Sequence, residues 1–176
     1  MSTSSRVDAY ASALFEVARA EGALDTVEEE LFRVARTFEG SDELRSTLTD
    51  QAIPVEMRQG IVEQLLGDKA SPVTTSLVSF VVGAGRGRDL PAIIDRLVEE
   101  AADQRDEVVA EVRSAVQLDD EQKTRLAAAL SEATKKKVSV KVIVDPTVLG
   151  GLIATIGDTV IDGSIRHRLD QMKESF

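Results

Sequence analysis

Few side chains in this sequence could carry chemistry, and they are scattered. His167 is the one histidine and there is no cysteine, so thiolate metal sites, disulfides and a cysteine nucleophile are excluded and a histidine-rich metal site is too. His167 could act as a general base, but Arg166 and Arg168 flank it with no nucleophile or orienting acid alongside; a surface or interface role fits better. The acidic pairs Glu99-Glu100 and Asp119-Asp120 resemble acid–base couples only on paper. Adjacent residues on a helix diverge by about 100° and do not converge on one substrate, so solvation and capping explain them. Lys135-Lys136-Lys137 could touch phosphate, yet complementing a helix C-terminus is the simpler cause.

Two glycine runs remain. Gly83-Ala84-Gly85-Arg86-Gly87 has the spacing of neither a dinucleotide fingerprint nor a P-loop, so a helix terminator is preferred over the alternative, a small nucleotide-binding enzyme using Gly83–Gly87. Gly150-Gly151 has no lysine or catalytic partner beside it, which leaves backbone geometry as its purpose. No catalytic, cofactor-binding or metal-binding residue is therefore assigned.

The 176 residues carry 21 lysines and arginines against 31 acids, a formal net charge of −10. That balance repels phosphate backbones and anionic lipid, which argues against nucleic-acid partners. No apolar run reaches the roughly 18 residues of a membrane span and the N-terminus lacks a signal-peptide core, so a soluble, intracellular protein without membrane insertion is expected.

The elements follow from periodicity and punctuation. Ser4 or Ser5 caps a helix to Glu21 with Val7, Tyr10, Leu14, Val17 and Ala18 on one side; Gly22 stops it. Further helices are expected at Leu24–Glu39, from the Ser41 cap to Leu48, at Val55–Leu66 behind Pro54, at Val73–Gly83 behind Ser71-Pro72, and from Asp89 onward. The fifth is apolar nearly all round, so it is either central or a docking surface. At Glu107 the period shifts from about 3.6 to about 2. A strand over Val108–Val116, a helix capped by Asp119-Asp120 with Leu126, Ala129, Leu130 and Ala133 inward, and a strand at Val138–Val144 follow. The predicted fold is α+β: an N-terminal six-helix bundle over 1–105, then a small α/β domain over 106–176.

Beyond Asp145-Pro146, which ends the valine alternation, Leu152–Ile156 reads as a buried strand. The chain then turns at Asp158, and Asp162-Gly163-Ser164 leads into a terminal helix with Ile165, Leu169, Met172 and Phe176 on one stripe. This stretch, from Asp145 through Gly150-Gly151 and Gly157-Asp158 to V-I-D-G-S-I-R, resembles the delta subunit of F-type ATP synthase, the family of the mitochondrial oligomycin sensitivity conferral protein. Tyr10-Ala11-Ser12-Ala13-Leu14-Phe15 resembles that family's first-helix motif.

The resemblance implies a non-catalytic stator subunit, without a cofactor, that joins the catalytic head to the peripheral stalk in proton-driven ATP synthesis. It implies one copy per complex, at the cytoplasmic face of a bacterial plasma membrane. The partners would be the head's alpha subunits, with beta as a further contact, and the stalk's b subunits. Tyr10, Ala13, Leu14, Leu77 and Phe80 can each be explained by core packing; together, helices one and five can also form a groove for a partner's amphipathic helix. The resemblance favours that groove for alpha. It points b to the terminal segment: Gly150, Gly151, Ile165, Leu169 and Met172.

Overall fold

The computed structural model describes residues 3–148, 150–157 and 159–162. The chain is α+β and divides into two compact units, Met1–Ala101 and Ala102–Phe176. The first is helical: α1 Thr3–Ala20, α2 Leu24–Gly40, α3 Asp42–Thr49, α4 Val55–Leu66, α5 Pro72–Gly83, a single 3-10 turn at Gly87–Asp89, and α6 Leu90–Gln104, which ends inside the second unit.

Local chemistry sets most of these bounds. The Ser41 hydroxyl accepts from the Leu44 amide at 3.2 Å and the Ser71 hydroxyl from the Thr74 amide at 3.3 Å, each satisfying an otherwise orphaned helix donor. Ser4 and Ser5 fall inside the first turn of α1 rather than before it. At its other end the Gly22 amide bonds the Arg19 carbonyl and the Ala23 amide bonds the Ala18 carbonyl. That pattern needs a left-handed residue, and Gly22 supplies it with φ +66°.

The helical core is made by stripes at helical spacing. Ala11, Leu14, Phe15 and Ala18 of α1, Val27, Leu31, Ala35 and Phe38 of α2, and Leu90, Ile93, Ile94, Leu97, Val98 and Ala101 of α6 are all buried. Glu28 of α2 is also buried. Glu30 accepts from both the amide and hydroxyl of Ser71, at 2.9 and 2.8 Å, which ties α2 to the start of α5. Burial works to raise its pKa, but the bonds from Thr74 and Ser71 and the charge of Arg33 hold it below the ordinary value.

The second unit contains β1 Val108–Ser114, α7 Asp120–Thr134, β2 Val138–Val144, β3 Leu152–Ile156 and β4 Thr159–Asp162. The sheet order is β2-β1-β3-β4, with β1 parallel to β2 and the other pairs antiparallel. The parallel pair requires a crossover, which α7 provides. One face of the sheet holds the core: Ala110, Val112, Val138 and Ala154 around Leu130 of α7, with Leu126, Val140, Leu152 and Ile156 packed against it. Asp119 begins α7 with a reciprocal capping box to Gln122.

Several expectations are corrected here. Val116 is exposed and lies beyond β1. Ala129 and Ala133 face solvent, because the inward stripe of α7 runs through Leu126 and Leu130. Thr159–Asp162 is an edge strand rather than a bare lead into a helix. The lysine run begins, as expected, at the end of α7, where Lys135 is the C-cap at φ +57°, and Lys137 in addition pairs with Glu107 at 2.7 Å. The turn at Asp158 and the terminal helix with Ile165, His167, Leu169, Met172 and Phe176 lie outside the described residues.

Glu107 accepts from Lys137 and, at 3.1 Å, from Arg105. Burial opposes its charge, but these two cations outweigh that and lower its pKa from 4.5. A carboxylate whose pKa is depressed by folding contributes stability above its unfolded value, and that contribution is lost as pH falls through the folded value. Because Lys137 is largely exposed, solvent screens the pair. Glu107→Gln should therefore cost about 1 kcal/mol at pH 7, and the gap between wild type and variant in urea midpoint should close as pH drops below the ordinary carboxylate range.

Candidate functional site

Helices α1 and α5 meet at an aromatic pair. The rings of Tyr10 and Phe80 lie with centroids 6.0 Å apart and planes tilted by 41°, within the range in which offset aromatic rings attract. Tyr10 is half-buried and Ala13 exposed, and Phe80 keeps 53% of its surface in solvent. Val17, one turn beyond Ala13, is 46% exposed. Positions 10, 13 and 17 share one face of a helix by their spacing, so Tyr10, Ala13 and Val17 form an apolar strip along α1, with Phe80 beside its Tyr10 end.

Leu14 and Leu77 do not belong to that surface. They are 2% and 5% exposed, and they support the strip from below as core residues. The expectation that all five residues line a groove is thus corrected: Tyr10, Ala13 and Phe80 reach solvent, and Leu14 and Leu77 fix the helices that present them. Val17, on the inward side by its sequence spacing, is instead exposed, and Phe15 is the fully buried residue of that turn.

The strip is anchored by polar contacts of α1 with α6. Ser12 donates to Glu100 at 3.0 Å, and Arg96 donates to Asp8 at 3.2 Å while also holding Glu99. Glu99-Glu100 is thereby accounted for as packing and solvation. The guanidinium of Arg96 beside these acids has its pKa raised, chiefly by the bond to Glu99.

The Gly83–Gly87 run ends α5. The amides of Ala84, Gly85 and Arg86 bond the carbonyls of Phe80, Val82 and Val81 at 2.9, 3.0 and 3.0 Å, with Gly85 at φ +72°. These amides are consumed in helix termination and do not cradle phosphate, so the nucleotide-enzyme alternative is not supported. Gly150 and Gly151 adopt φ +64° and +77°, left-handed conformations that side chains resist. They turn the chain ahead of β3; Asp145 opens the same connection by accepting from the amide and hydroxyl of Thr147. No group of three or more metal-ligating side chains occurs among the described residues, and no helix of the described residues is long and apolar enough to cross a membrane.

The family model described as "ATP synthase delta (OSCP) subunit" matches residues 7–176. The chain is 43% identical over 164 residues to the ATP synthase subunit delta of Nocardia farcinica (strain IFM 10152), covering 93% of this chain and 61% of that relative. It is 42% identical over 165 residues to the ATP synthase subunit delta of Salinispora arenicola (strain CNS-205), covering 94% and 60%. It therefore spans about three fifths of the length of these curated relatives. A chain from the cryo-EM structure of the Toxoplasma gondii mitochondrial ATP synthase hexamer aligns with a TM-score of 0.56 at 24% identity, covering 99% of this chain and 97% of that one. At that identity the likeness speaks for the fold.

Proposed function

This chain belongs to the ATP synthase delta (OSCP) subunit family, and on that premise we propose that it is a non-catalytic stator component of an F-type ATP synthase. It links the catalytic head to the peripheral stalk, so that the head is held still while proton flow turns the rotor. In this reading residues 1–105 form a six-helix bundle that takes an N-terminal helix of an alpha subunit, and residues 106–176 hold the b subunits. The protein is then a single peripheral copy at the cytoplasmic face of a bacterial plasma membrane.

The observation that carries the reading is the aromatic pair at the junction of α1 and α5, with Phe80 half in solvent. An aromatic side chain left exposed beside Tyr10, at the end of the strip that Ala13 and Val17 continue, is the kind of anchor that dominates protein interfaces. A torque-bearing link works through tight, slowly dissociating apolar contacts and needs no reactive group. For the stalk contact we propose Gly150 and Gly151, whose backbone can approach a partner closely, together with Ile165, Leu169 and Met172.

Affinity capture of the tagged chain from detergent-solubilised membranes tests the whole reading. Alpha and b subunits should be recovered together, and recovery of neither would overturn it.

A further inference from the structure

A small polar cavity of about 250 Å³ lies within the helical unit, lined by Thr49, Gln51, Arg58, Gly85, Gly87 and Arg88. Two of its six lining residues are arginines. Arg58, on α4, is 94% buried, being 6% exposed. A guanidinium keeps its charge at any ordinary pH, so burying one without a counter-charge is costly. Yet among the described residues its one hydrogen bond is long, from Nη1 to the Leu48 carbonyl at 3.4 Å, and its Nε is buried without a partner there. Other arginines of this unit are matched: Arg36 with Asp95, Arg45 with Asp42, Arg86 with Asp89 and Arg96 with Asp8. Arg88 makes no ion pair among the described residues, and the acids across its other side, Glu39, Asp42 and Asp95, already hold Arg36 or Arg45.

The ends of α3 and α5 offset part of this charge. A helix C-terminus carries roughly half a negative charge, but the last carbonyls of α5 are already bound by the Ala84, Gly85 and Arg86 amides. Of the six lining residues only Arg58 and Arg88 are charged, and both are positive. Space is available as well: a side-chain carbon at Gly85 would meet nothing within 4 Å, whereas one at Gly87 would lie 2.9 Å from the Leu48 carbonyl. The volume falls below the roughly 300–1,000 Å³ of small-molecule sites, which suits a single oxyanion group and excludes a nucleotide.

We propose that Arg58 and Arg88 form an oxyanion site, able to take a phosphate-like ion or a carboxylate presented by a bound chain. Guanidinium forks match both geometries. The site is independent of the stator reading, since it uses neither the α1 strip nor the terminal segment.

The test is a titration of the full chain with sodium phosphate, and separately with sodium acetate, against sodium chloride at matched ionic strength. Arginine Nε–Hε signals are followed by NMR. A saturable shift of the Arg58 signal in the phosphate arm assigns the site to an inorganic oxyanion; saturation in the acetate arm alone assigns it to a carboxylate. Arg88→Gln, at an exposed position, should leave the fold intact and weaken the saturating interaction about tenfold. Arg58→Gln should abolish it, and if that variant fails to fold, Arg88→Gln decides. The same unsaturable drift in all three arms, saturation by chloride, or an Arg88→Gln protein that binds as wild type does would overturn the proposal.

Discussion

Phe80→Asp should weaken binding of a peptide of the alpha N-terminal helix by at least about 30-fold in titration calorimetry, the loss expected for an interface anchor worth 2 kcal/mol or more. The protein should stay folded, with its melting temperature lowered by roughly 2–12 °C. Phe80 already has 53% of its surface in water, so the folded state loses little beyond its contact with the Tyr10 ring, worth about 0.5–1.5 kcal/mol. Ala13→Glu is the companion variant. It removes no contact, yet sets a longer charged side chain on the exposed strip, where it would have to be desolvated under a bound helix. Unchanged affinity in both variants would remove α1 and α5 from the alpha interface.

The places where the sequence could be read are those where the deciding physics is local. Ser41, Ser71 and Asp119 cap helices within three residues of themselves, and Gly22 and Gly85 end helices through their own φ. The shift of period at Glu107 marks β1 because a half-buried strand alternates by necessity. Thr159–Asp162 is hard to see in the sequence although Gly157-Asp158 followed by Thr-Val-Ile is a hairpin signal; four residues are too few to display a period. The inward face of α7 is ambiguous in the sequence because its alanines fit either side of a helix equally well.

The same limit governs the docking surface. Residues 77 and 80 are three apart, so their side chains leave α5 only about 60° from each other. On a helix apolar nearly all round, nothing in the sequence says where the edge of the core falls between them. The packed structure draws that edge, with Leu77 beneath it and Phe80 above. On α1 it likewise separates Leu14 and Phe15 from Ala13 and Val17. Capping could not have revealed this, because which residues stay wet depends on neighbouring helices distant in sequence.

Leu77 therefore answers a different experiment from Phe80. At 5% exposure in the core, Leu77→Ala removes buried methyl groups and leaves a cavity, a change that costs about 2–5 kcal/mol in comparable sites. A domain of ordinary stability has only about 5–15 kcal/mol in all, and each kcal/mol moves the midpoint of a 60–100-residue unit by about 4–8 °C. The helical transition followed by circular dichroism should accordingly fall by roughly 10 °C or more. Leu77→Asp should be worse still, because it puts a carboxylate at a buried position that holds a leucine. Its loss of peptide binding would follow from loss of the fold, whereas Phe80→Asp loses binding with the fold intact. Should Leu77→Ala melt as wild type does while binding weakens, Leu77 would be a contact residue, and the boundary between core and docking surface on α5 would have to be redrawn one turn lower.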